Sequence, residues 1–157
     1  MSGRLFSSIS LRETTLANRI VVSPMCQYSA VDGSATDWHL VHLGQMAMSG
    51  AGLVILEATH VEARGRITPA CLGLYSDENE AALVPVLAFC RAHGSAKLGI
   101  QLSHAGRKGS ARIPWETGAA RPWTPPTAAG QRAVVRASPA ATAGRCRRTW
   151  TRPACRP

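Results

Sequence analysis

Three short apolar runs, at residues 20–22, 52–58 and 97–102, stand in this 157-residue chain with a helix-length stretch in each gap. That alternation limits the possible folds more than any other feature. Strands alternating with helices at βαβ spacing form a parallel sheet covered by helices. Parallel strands are buried on both faces and read as compact apolar runs, as "IVV" does, and "GLVILEA" reads as a second buried strand. The first gap holds "TDWHLVHLGQMAMSG". Trp38, Val41, Leu43, Met46 and Ala47 recur there at helical spacing, Thr36 or Asp37 caps the start, and Gly50 suits the left-handed position after the end. The second gap holds "DENEAALVPVLAFCRAHG", where Asp77 and Glu80 resemble a capping box and Gly94 is a stop. Pro85 lies inside this stretch, so the helix either starts near Val84 or kinks. Ahead of the first run, "ISLRETTL" reads as two β segments of a hairpin. Residues 59–76 read as a long Gly/Pro-punctuated loop, a length often associated with function, and His60 falls in it.

Three parallel strands close nothing by themselves. They are either an open sheet or the opening part of a barrel. In both architectures ligands lie at the carboxyl ends of the strands. Those ends carry Ser23, Pro24, Met25, Cys26 and Tyr28, then Glu57 and Ala58, then Gln101 with His104. The groups are polar but almost uncharged, which suits a neutral, planar, heteroatom-rich ligand. The chain has neither GxGxxG nor GxxxxGK[ST], so it lacks both common phosphate grips. His39 and His42 are spaced i, i+3 on the first helix, with no carboxylate or third ligand accompanying them, and read as structural. No metal site is expected. His104 and Arg107 read as supporting hydrogen-bond groups.

The net charge of +9 suggests an anionic partner until its distribution is read. Residues 1–116 carry ten Lys+Arg against nine Asp+Glu, while residues 117–157 carry eight arginines and no acidic residue. The five cysteines form no CxxC pair, and their odd number and spacing fit no disulfide framework. Free thiols in a reducing cytoplasm are the expectation. No apolar run approaches 18 residues, so no membrane span is expected, and the N-terminus lacks a signal-peptide core.

Four segments in order, "LFSSISLRETTLANRIVVSPMCQYSA", "GLVILEATHVEARGRIT", "LGLYSDE" and "GIQLSHAGRK", resemble the N-terminal part of the old yellow enzyme family of NAD(P)H:flavin oxidoreductases. The cysteine in the first segment resembles the bacterial xenobiotic-reductase branch. The likeness runs from about Leu5 to about Trp115. It implies an incomplete (β/α)8 barrel, with the N-terminal hairpin and about three β/α units in residues 1–116. It also implies FMN as cofactor, NAD(P)H as reductant and an α,β-unsaturated carbonyl or similar small molecule as substrate. Family members pass a hydride from the reduced flavin to the β-carbon of an activated alkene, and full-length members are often homo-oligomers. By the same resemblance Ser23, Pro24, Met25 and Cys26 line the flavin, and the Cys26 thiol tunes its potential. Tyr28 faces the substrate, Ala58 touches the flavin through its backbone, and Gln101 hydrogen-bonds the pyrimidine edge.

Residues 117–157 break the pattern. They are rich in Arg, Ala and Pro, have no helical or strand period, and are expected to be disordered. A frameshift in a high-GC gene produces such a loss of acidic residues, and translation of the other two frames tests that origin. The family continues for about 200 further residues, with groups that hold the substrate carbonyl and the FMN phosphate and have no counterpart here. The chain alone is therefore expected to be poorly soluble and to hold FMN weakly. Two other readings remain open at this point. One is a fragment without activity of its own. The other, resting only on the arginine tail, is a basic nucleic-acid-associating protein.

Overall fold

The hairpin precedes the sheet as expected: β1 (Ile9–Leu11) and β2 (Thr14–Leu16) pair antiparallel, with Ile9 opposite Leu16. Arg12 takes a positive φ of 55° at the turn. The computed structural model describes residues 3–109 and 111–116. The expected disorder of residues 117–157 lies outside the described residues.

The three apolar runs become β3 (Val21–Val22), β4 (Leu53–His60) and β5 (Lys97–Ser103), in the order β3-β4-β5 and all parallel. The gaps become α1 (Asp37–Met48) and α2 (Asp77–His93), giving an α/β architecture. The core lies between the sheet and the two helices. Val54 and Leu56 of β4 meet Leu43 and Ala47 of α1, and Leu83, Val86 and Cys90 of α2, with Leu72 alongside. Each such Leu or Val contributes about 1.5–3 kcal/mol on burial.

The helix ends follow the expected chemistry with two changes. Thr36 caps α1, but its backbone N–H donates to His39 Nδ1 at 2.9 Å, so a histidine takes the role usually given to Glu in a capping box. Ser76, not Asp77, caps α2, accepting from the Asn79 N–H at 3.3 Å. Gly50 sits just past α1 with φ +83°, a left-handed conformation that glycine adopts without a Cβ penalty. Pro85 neither delays nor ends α2, which is continuous from Asp77 to His93. A proline lacks one helical N–H, and the packing of Leu83, Val86 and Cys90 offsets that loss.

Three expectations are corrected. β3 is not buried on both faces: Val21 is 46% exposed, because β3 is an edge of the sheet among the described residues. β4 is longer than expected and ends at His60, which is fully buried rather than a loop residue. Residues 61–76 are not a solvated loop. His60 N donates to Leu72 O and Leu74 N to His60 O, both at 2.9 Å, so this segment folds back beside the end of β4 and buries Arg66, Thr68, Cys71 and Leu72.

Candidate active site

β4 carries a bulge where the site forms. Leu56 pairs with Ile100 and Ala58 with Gln101, which leaves Glu57 as the extra residue. The bulge turns the Glu57 carboxylate toward α1 and the segment after β3. Its side chain is 4% exposed, Oε2 accepts from Gln27 N–H at 3.1 Å, and Oε1 lies 3.3 Å from His39 Nε2. Because His39 Nδ1 accepts from Thr36, the ring proton is on Nε2, facing this carboxylate. The contact is an ion-dipole approach without hydrogen-bond alignment. A cavity of about 10 Å³ lies among Ser23, Gln27, His42 and Glu57, next to Leu43 and Val54.

The segment after β3 holds most of the predicted site. Ser23 and Met25 are exposed, Pro24 and Cys26 half-buried. Burial raises the Cys26 thiol above its ordinary 9.0, and the Glu57 carboxylate and Cys71 push it further, against the Ala58 backbone and Lys108. Cys26 is therefore a protonated S–H group near neutral pH. Tyr28 is held at φ +50°, a strained conformation for a non-glycine residue, and its ring meets Trp115 edge-on at 5.9 Å. Its hydroxyl is raised first by burial and then by the neighbouring Cys26.

Ala58 and Gln101 are direct partners on neighbouring strands. Gln101 is exposed and alternates with Ile100 and Leu102, so it faces the opposite side of the sheet from those two. The structure thus gathers Cys26, Tyr28 and Ala58, and sets Gln101 beside Ala58. His104 is engaged elsewhere: Nε2 contacts Glu62 at 3.2 Å, and Nδ1 accepts from Gly106 N–H. Arg107 is exposed in a 3-10 turn.

Sequence reasoning missed two participants. His39 was read as lacking a carboxylate partner, and the Glu57 contact corrects that. The available signal was a glutamate inside "GLVILEA", since a buried carboxylate needs donors. Trp115 lies 87 positions from Tyr28 in the chain, and no local pattern connects them.

The sequence profile of the NADH:flavin oxidoreductase / NADH oxidase family matches residues 4–133. The chain belongs to this family, the old yellow enzymes. It is 53% identical over 107 residues to an NADPH dehydrogenase of Listeria welshimeri, covering 67% of this chain and 31% of that protein. It is 49% identical over 114 residues to an NADH:flavin oxidoreductase of Gibberella zeae, covering 73% and 27%. Among solved structures it is similar to morphinone reductase in complex with tetrahydroNAD. That match has 28% identity and a TM-score of 0.63, over 69% of this chain and 29% of that one. The chain spans about three-tenths of the length of these curated relatives. Among the described residues, no helix is long and apolar enough to cross a membrane.

His60 gives this old yellow enzyme relative a testable acid sensitivity. Its Nδ1 faces Leu72 O at 3.0 Å, and its buried Nε2 has no hydrogen-bond partner among the described residues. Burial lowers His60 and His42 below their ordinary 6.5. Once pH falls below 6.5, the unfolded chain binds protons that the folded chain refuses. Stability is complete above that value and is lost as pH falls toward the lower folded values. Thermal melts should show Tm decreasing on acidification from neutral pH, with a shallower decrease in His60→Gln. An identical slope in the variant would rule out the His60 contribution.

Proposed function

We propose that this chain is the flavin-lining opening segment of a (β/α)8 barrel, an FMN-dependent ene-reductase of old yellow enzyme type. The observation that carries the reading is the convergence of a protonated thiol, Cys26, with the Ala58 backbone and the neighbouring Gln101 amide at one end of the parallel strands. These groups fit an isoalloxazine edge, which is neutral, planar and rich in donors and acceptors. When bound, FMN supplies hydride transfer from NAD(P)H to the activated C=C bond of an α,β-unsaturated carbonyl. Gln101 both donates and accepts through its amide, as a pyrimidine edge requires. Cys26 presents a weak S–H donor and thereby tunes the bound ring. Ser23, Pro24 and Met25 line the same side, and Tyr28 is the substrate-facing hydroxyl.

β5 is an edge strand among the described residues, and the apolar groove between it and α2 is open. These features favour a second reading, in which the chain alone is a fragment without activity. Flavin titration followed by fluorescence separates the two. Saturable but weak binding is expected, with Kd on the order of 0.1 mM or weaker, loosened several-fold in Gln101→Ala. A titration flat up to millimolar FMN leaves only the fragment reading. A yellow, stoichiometrically loaded protein from purification would refute the impairment.

A further inference from the structure

Gln27 stands between Cys26 and Tyr28, and it is fixed from several directions. Its backbone N–H donates to Glu57 Oε2 at 3.1 Å. Its side-chain carbonyl accepts from Trp38 Nε1 at 3.0 Å, and its amide donates to Met25 O at 2.8 Å. Its own carbonyl accepts from Ser29 Oγ at 3.0 Å. Tyr28 is in the left-handed region, and a strained non-glycine residue persists only where its surroundings over-determine it. Among the described residues the Glu57 bond is the one hydrogen bond to Gln27 that comes from the sheet, and it comes from the bulge residue of β4. Glu57 is in turn seated against His39 of α1, whose orientation is set by the Thr36 cap.

We propose that Glu57, seated by His39, is the positioning residue of the thiol-bearing loop: it clamps the Gln27 backbone and so sets where Cys26 and Tyr28 stand. What the thiol then does rests on the flavin reading above; the clamp itself does not. The arrangement also has an electrostatic consequence. The charged and titratable groups acting on Cys26 are Glu57 of β4, Cys71 of the folded-back segment and Lys108 beyond β5, with Tyr28 on its own loop. His39 and His42 face Glu57 from α1. Of these, Glu57 combines a direct hold on the loop with a negative charge that disfavours the thiolate.

The test is the pH profile of iodoacetamide alkylation on the whole 157-residue chain, read at each cysteine by peptide mass spectrometry. Cys71 and Cys90 are buried and report whether the fold has opened. Glu57→Gln keeps an acceptor for Gln27 and removes the charge. Its Cys26 profile should move to lower pH, with alkylation at neutral pH rising up to about tenfold per unit of displacement. Glu57→Asp keeps the charge but is one methylene too short for the clamp. Its Cys26 should react several-fold faster across the profile without a comparable displacement. A change selective for Cys26 in either variant supports the role. No change at Cys26 in both, or Cys26, Cys71 and Cys90 accelerating together in both, overturns it. Because no flavin is present, a failed FMN titration leaves this result standing.

Discussion

Replacing His39 with Leu should destabilise the folded chain by about 2–3 kcal/mol and lower Tm by roughly 5–10 °C. His39 is 1% exposed and performs two tasks at once. Its Nδ1 accepts the Thr36 N–H that opens α1, and its Nε2–H faces the buried Glu57 carboxylate. Leucine fills a similar volume but can do neither. The Thr36 N–H loses its acceptor, and the carboxylate keeps only the Gln27 N–H. An uncompensated charge in the interior costs far more than a lost surface contact. The double variant His39→Leu/Glu57→Leu removes the stranded charge as well, so it should be less destabilised than His39→Leu alone. Chemical denaturation of both single variants and the double completes the cycle. If the two single costs simply add, the pair is not a coupled unit.

The second large effect concerns association rather than stability. Ile100 and Leu102 are 40% and 61% exposed on the same side of β5, a strand paired on one side only among the described residues. Next to it, Leu83, Val84, Leu87, Leu98 and Ile100 line a groove of about 600 Å³ against α2. An apolar edge strand beside an open groove is a template for edge-to-edge pairing. The chain should therefore form concentration-dependent aggregates. Leu102→Lys should raise the monomeric fraction several-fold, since an edge lysine blocks pairing while its stem still covers apolar surface. Light scattering across a dilution series reads the effect. Equal aggregation in wild type and variant would place the sticky surface elsewhere.

Much of the architecture was legible because it is written in local periodicity. The runs at 20–22, 52–58 and 97–102 and the two helical stretches needed only β-branched clusters, helical spacing and caps, and all five elements are present. The misreadings fall where chain neighbours do not decide. His60 looked like a loop residue because "THVEARGRITPA" is polar and turn-rich. It is buried because residues 61–76 return to hydrogen-bond the end of β4. Val21 looked like the centre of a doubly covered strand, yet it lies on an uncovered edge. Burial of a strand depends on what stands on either side of it, and a strand's own sequence cannot specify that.

The same division runs through the site. The sequence by itself determined the strand-end chemistry: a thiol, a tyrosine, an alanine and a glutamine within three of the four recognisable segments that suffice to name the family. Only the tertiary structure decided how those groups are held. A single bulge at Glu57 turns a carboxylate from an apolar strand toward α1, where it meets a histidine that local pattern had left without a partner. Motifs record side chains that must be of one kind. Clamps such as Gln27–Glu57–His39 depend on distances between residues far apart in the chain, and those distances exist only once the strands have paired and the helix has packed.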